Sequence, residues 1–294
     1  MHHKFQGTGV ALVTPFKSDL SIDFECLSNL VEHCVDGAVN FLVVMGTTGE
    51  SVTLSKHEKQ QVLEHVIKTN NSRLPIVLGV GGNNTHSVIS SIEAFDLSGV
   101  DAILSVSPSY NKPTQEGIYQ HFKAVSEASP LPIILYNVPV RTASNMTAET
   151  TLKLARDFDN IIGVKEASGD LSQIMNIIKN KPAEFLVLSG DDEMTLPIIL
   201  VGGDGVISVL GQAIAKEFSS MVKFALMSDI INANQLHYDL LPFVRPLFEE
   251  GNPAGVKKLL MLLGLTGDNV RLPLVKGSDS LEEKLNKCLE KFKS

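Results

Sequence analysis

A lysine, a tyrosine, an arginine and a pair of threonines close apolar runs in this 294-residue chain, and together they suit carbonyl chemistry. Lys165 directly follows Ile161-Ile162-Gly163-Val164. An amine drawn partly out of water holds its proton less tightly, and a neutral amine attacks a carbonyl to form an imine. The plainer alternative is a lysine that ends a strand and reaches to solvent, or pairs with Glu166. Strand alternation argues against that pair, because neighbouring side chains point to opposite faces. Tyr136 ends the preceding run, where its phenol can stand beside the amine and move protons between carbinolamine, imine and enamine. As a purely structural residue it would pack its ring at a rim and keep its hydroxyl wet. Thr47-Thr48, between Gly46 and Gly49, offer hydroxyls and backbone N–H groups in a turn that could cradle a small carboxylate, or simply punctuate the chain. Arg141, on the loop after Tyr136, could grip a carboxylate with two parallel hydrogen bonds, or make a surface ion pair.

These residues must be carried by elements that converge. Eight short runs rich in Val, Ile and Leu recur: Gly9-Val13, Phe41-Met45, Ile76-Val80, Ala102-Val106, Ile133-Tyr136, Ile161-Val164, Phe185-Leu188 and Val206-Val209. They are apolar on both faces, as in a parallel sheet covered on both sides. Helical spacing separates them: Leu27, Leu30, Val31 and Cys34; Val62 and Val66; Ile118, Phe122 and Val125. Ser55-Lys56-His57-Glu58 has the form of a capping box. Eight βα units in succession predict a (β/α)8 barrel, in which chemistry belongs at the C-terminal ends of the strands. A doubly wound nucleotide-binding sheet would want its glycine loop after the first strand, whereas Gly7-Thr8-Gly9 precedes that strand. Beyond residue 212 the strand signal stops, so the reading is a barrel over 1–225 and a helical region over 226–294, with helices around Phe218-Met227, Ile231-Leu241, Gly255-Leu263 and Leu281-Phe292.

Composition narrows the function classes. With 44% hydrophobic and 20% charged residues the chain is globular, not disordered. A net charge of −8 and the lack of a dense basic cluster argue against nucleic acid. No apolar stretch is long enough to span a membrane, and Met1-His2-His3-Lys4-Phe5 lacks a signal-peptide core, so a cytoplasmic protein is expected. Cys26, Cys34 and Cys288 have no metal or CxxC spacing and read as reduced thiols in helices. His57-Glu58-Lys59-Gln60-Gln61 has Gln where a zinc motif needs its second His, and Gly202-Gly203-Asp204-Gly205 precedes its strand, as a tight turn does. Neither a metal nor an organic cofactor is implied.

The motifs Gly46-Thr47-Thr48-Gly49-Glu50-Ser51, Tyr136-Asn137-Val138-Pro139 with Arg141-Thr142, Ile162-Gly163-Val164-Lys165-Glu166-Ala167-Ser168-Gly169, Ser189-Gly190-Asp191-Asp192 and Gly205-Val206-Ile207-Ser208-Val209 occur in order. In this the chain resembles the dihydrodipicolinate synthase family of pyruvate-dependent Schiff-base aldolases, from Gly9 to Leu274. The double Thr and Arg141 favour that family over the related sialic-acid lyases; a sialic-acid or 2-keto-3-deoxy sugar acid lyase, sharing Lys165 and Tyr136, is the nearest alternative, and a silent barrel acting as a small-molecule sensor is the non-enzymatic one. The resemblance implies condensation of pyruvate with aspartate semialdehyde. It makes Lys165 the imine-forming residue, and Tyr136, Thr47 and Tyr110 a proton relay. Thr48 and the Ile207 backbone would hold pyruvate, Gly190 would leave room beside it, and Arg141 would bind the aldehyde's carboxylate. Tyr110 would come from a neighbouring subunit, implying a homo-oligomer, most often a tetramer built as a dimer of dimers. Tyr119 and Tyr238 keep a structural reading. Lys56, Lys59, Ser87 and Ser109 stand where lysine-inhibited members carry other residues, while Ser51 and Asn83 are retained. Feedback by lysine is therefore expected to be weak or absent, with half-maximal inhibition at submillimolar lysine as the contrary result.

Overall fold

The structure, a computed structural model, describes residues 2–293; Met1 and Ser294, the outer ends of the two expected regions, lie outside the described residues. Strands and helices alternate as β1 (Gly7–Ala11), α1 (Phe24–Asp36), β2 (Phe41–Val44), α2 (Lys56–Asn70), β3 (Ile76–Gly79), α3 (Thr85–Ala94), β4 (Ala102–Val106), α4 (Gln115–Ala128) and β5 (Ile133–Asn137). They continue through α5 (Pro139–Thr142), α6 (Ala148–Asp157), β6 (Ile161–Glu166), α7 (Leu171–Asn180), β7 (Leu186–Ser189), α8 (Thr195–Leu200), β8 (Gly205–Ser208) and α9 (Ala215–Leu226). The last helices are α10 (Ile230–Glu249), α11 (Ala254–Leu262) and α12 (Asp279–Lys293). All eight strands are parallel, each pairs with its sequence neighbours, and β8 closes on β1. The expected (β/α)8 barrel is therefore formed, with strand ends displaced by a residue or two from the sequence reading.

Burial on both faces explains why the strands read as continuous apolar runs. Inward residues such as Phe41, Val43, Val77, Leu104, Ile134, Ile162, Leu188 and Ile207 fill the barrel. Phe5, in the turn before β1, meets Phe41 edge-on at 5.7 Å between centroids and closes the end where the strands start. Outward residues pack on helices whose buried positions repeat at 3.6, among them Leu27, Leu30, Val31 and Cys34 of α1. The capping box opening α2 is present: the Ser55 hydroxyl accepts the Glu58 N–H, and the Glu58 carboxylate accepts the Ser55 N–H. Gly202-Gly203-Asp204-Gly205 makes the turn into β8, where only glycine lets residue 205 lie against the Gly7 backbone.

Helix α9 packs against β1 and α1, and α10 lies along α9 and carries α11 and α12. All three cysteines are unpaired, two on α1 and one on α12, and burial pushes the Cys34 thiol up. Among the described residues no helix is long and apolar enough to cross a membrane.

Candidate active site

Two local decisions place the lysine. First, β6 runs on to Glu166, so Lys165 lies within the strand rather than just beyond it. Second, the pairing of β5 with β6 slips between Ile133 and Ile134: Ile133 pairs with Ile161, but Ile134 pairs with Gly163. One extra residue in β6 is a bulge, and a bulge reverses which face the following side chains take. Counted from Ile161, which faces the helices, plain alternation would turn Lys165 outward and Glu166 inward. With the bulge, Lys165 shares the inward register of Tyr136 and Leu188, and Glu166 faces out. Gly163 makes this possible, since a Cβ there would lie 2.9 Å from both the Leu186 Cβ and its carbonyl oxygen.

Lys165 is 5% exposed, and its Nζ stands 4.4 Å from the centroid of the Tyr136 ring. The Lys165–Glu166 pair does not form. Instead the Glu166 carboxylate accepts hydrogen bonds from the Asn137 amide, the Ser168 N–H and the Gln173 amide. Burial pushes that carboxyl above its ordinary range, with these hydrogen bonds opposing the shift. Asn137 also accepts the Met146 N–H at 3.0 Å, so one buried network fixes the ends of β5 and β6. Gly190 follows β7; a Cβ there would sit 3.0 Å from Lys165 Cε and 2.7 Å from Ala167 Cβ. Only glycine at 190 lets the lysine stem lie over the backbone.

Thr47 and Thr48 open a 3-10 turn, Thr47–Gly49, after β2. Thr47 is exposed and Thr48 is buried. The backbone is left-handed on either side, at Met45 (φ 64°) and Glu50 (φ 52°), neither of them glycine. Each such residue costs roughly 1–2 kcal/mol, so surrounding contacts must hold the turn. Gly79 allows part of this, since a Cβ there would lie 2.5 Å from the Met45 carbonyl oxygen. Glu50 accepts a hydrogen bond from Lys257 Nζ at 2.5 Å and from the Arg271 N–H at 3.0 Å. The Asn252 amide donates to the Thr48 hydroxyl at 3.0 Å.

A cavity of about 1360 Å³ opens at the C-terminal ends of the strands, lined by Thr47, Thr48, Tyr136, Arg141, Lys165 and Gly190 among others. Six of the eight expected residues thus meet in one space. Arg141 is exposed and lies on the short helix α5 rather than on an irregular loop. Ile207 pairs with Gly9 in β8 and sends its side chain into the barrel core, outside the lining of the cavity. Tyr110 is the outlier: it is 88% exposed, left-handed at φ 72°, and absent from the lining, although its neighbour Ser109 takes part. Packing within its own subunit is therefore not what this side chain does. Tyr119, by contrast, donates to Asp157 on a helix surface. Ser51, Lys56, Lys59, Ser87 and Ser109 also line this cavity, and Asn83 does not.

Sequence reasoning missed several residues that support the site. Asp192, 4% exposed, accepts from the Ser208 hydroxyl at 2.6 Å and from the N–H groups of Val209 and Leu210, fixing the chain just beyond Ile207. Burial pushes its carboxyl up. Lys257 is fully buried, and its only sequence signal is the Lys257-Lys258 pair set inside an apolar helical run. Asn252 has no local signal.

The Dihydrodipicolinate synthetase family model matches residues 4–292. A 4-hydroxy-tetrahydrodipicolinate synthase of Flavobacterium psychrophilum is 56% identical over 282 residues, covering 96% of this chain and 96% of the relative. A dihydrodipicolinate synthase of Acinetobacter baumannii, solved in complex with pyruvate, superposes with a TM-score of 0.95 at 40% identity, covering 98% and 99% of the two chains. A monomeric dihydrodipicolinate synthase variant superposes with a TM-score of 0.96 at 36% identity, covering 99% and 98%.

Proposed function

The chain belongs to the Dihydrodipicolinate synthetase family, and from that premise we infer that it joins pyruvate to L-aspartate 4-semialdehyde. It is a lyase-class enzyme that makes 4-hydroxy-tetrahydrodipicolinate for diaminopimelate and lysine biosynthesis. The observation that carries the mechanism is the inward lysine of β6, buried against Tyr136 with its stem over Gly190. Lys165 Nζ attacks the keto carbon of pyruvate, and loss of water leaves an imine. The imine draws electrons from the adjacent methyl group, which releases a proton to become an enamine. The enamine carbon attacks the aldehyde, and the aldehyde's oxygen takes up a proton. The amino group of the second substrate then attacks the imine carbon, closing the ring and freeing Lys165.

Tyr136 carries protons in these steps, with Thr47 in the relay and Tyr110 supplied across a subunit contact. Thr48 and the Ile207 backbone hold the pyruvate carboxylate, and Arg141 takes the carboxylate of the aldehyde. A homo-oligomer, a tetramer of paired dimers, fits the exposure of Tyr110. The cytoplasm is the compartment that suits three free thiols and a pyruvate substrate.

Borohydride added in the presence of pyruvate should attach a fixed mass to Lys165, and Lys165→Ala should abolish both the adduct and turnover. Absence of the adduct in the parent protein would refute the Schiff base.

A further inference from the structure

The turn that carries Thr47 and Thr48 is anchored from the far end of the chain. Glu50, left-handed and 2% exposed, places one carboxylate oxygen on Lys257 Nζ and the other on the Arg271 N–H. Lys257 also donates to the Asn269 carbonyl at 2.8 Å and stands 4.2 Å from the centroid of the Phe16 ring. The Arg271 guanidinium lies 4.5 Å from that same centroid and reaches Glu58 and the Thr53 carbonyl. Five residues before Lys257, Asn252 donates to the Thr48 hydroxyl. That hydroxyl thus receives the amide as acceptor and keeps its own hydrogen for a ligand.

Neither contact is explained by stability. A buried ion pair adds little net stability, because desolvating both charges offsets their attraction. Asn252 is a worse choice still: among the described residues its side chain makes this one hydrogen bond and leaves its Oδ1 buried without a partner. What both contacts accomplish is geometric, since they fix where the turn and its hydroxyl stand.

We propose that Asn252 and Lys257 are positioning residues for the 2-oxo acid substrate: Asn252 aims the Thr48 hydroxyl, and Lys257, through Glu50, holds the turn that carries it. The C-terminal helical region thereby sets the affinity of the barrel for the substrate carboxylate. This inference rests on the pyruvate reading of the site.

The test is a pyruvate titration of borohydride trapping at Lys165, read by intact mass on the full chain. Two variants are compared with the parent, Asn252→Ala and the double Glu50→Gln with Lys257→Met. The double change is used because removing one charge alone strands the other in the interior. In both, the half-saturating pyruvate concentration should rise on the order of tenfold, the loss of about one well-placed hydrogen bond, while trapping at saturation stays complete. A merely structural role would lower the trapped fraction at saturation and leave the half-saturation unmoved. Folded variants whose half-saturation stays within about twofold of the parent overturn the proposal. A parent that pyruvate does not trap overturns the pyruvate reading, and this inference with it.

Discussion

Tyr136 and Lys165 are register partners on adjacent strands, and the amine stands over the ring face of the phenol. That arrangement sets the phenol next to the amine, and Glu166 does not pair with that amine, because it is turned away and engaged with Asn137, Ser168 and Gln173. Removing only the hydroxyl, in Tyr136→Phe, should lower kcat about a hundredfold or more, the usual range for a proton-transfer group, with the melting temperature unchanged. Steady-state assay and a thermal melt check the two halves of that expectation. Lys165, Tyr136 and the threonine pair were legible as candidates because each closes an apolar run, which in a parallel barrel places it at the mouth. Lys257 was not legible, because a lysine in an apolar helical run looks the same in sequence whether it snorkels to water or meets a carboxylate from another element.

Among the elements, the bulge in β6 decides which face Lys165 takes. Gly163→Val would push a branched side chain into Leu186, at a position where even a Cβ comes within 2.9 Å. The expected result is a loss of about 1–3 kcal/mol from overpacking and a fall in borohydride trapping that exceeds any fall in the folded fraction, as Lys165 loses its inward register. Denaturation and trapping on the same sample separate these effects. A glycine inside a strand pattern is the signal that could have announced the bulge, although its position alone does not say which face follows. A second element-scale link joins α2 to the C-terminal segment through Glu58 and Arg271, whose guanidinium lowers the Glu58 carboxyl from its ordinary 4.5 to about 2. A carboxyl lowered on folding stabilises the fold above its unfolded value and stops doing so as it becomes protonated. The melting temperature of Glu58→Gln should therefore fall below the parent's by a constant margin above about pH 4.5, and that margin should shrink as the pH drops through about 2. A pH series of paired melts checks it.

At the scale of the whole molecule, Tyr110 is the residue whose role one subunit does not explain. If a neighbour completes the site, Lys165→Ala and Tyr110→Phe subunits should each be impaired alone yet recover activity when unfolded together and refolded. Random pairing makes half of the dimers mixed, each with one intact site, so recovery should approach roughly a quarter of the parent activity. An activity no greater than the sum of the separately refolded variants would place Tyr110 outside the relay. The barrel, the later helices and most of the residues at the mouth were readable from the amino-acid order alone, because apolar periodicity and strand-end position are local properties that each segment carries independently. It took the folded chain to turn Lys165 inward, to engage Glu166 elsewhere, and to bring Asn252 and Lys257 against a turn more than 200 positions earlier in the chain. Those outcomes depend on which residue lies opposite which once the strands close and the last helices dock, and no periodicity within a segment encodes its partner.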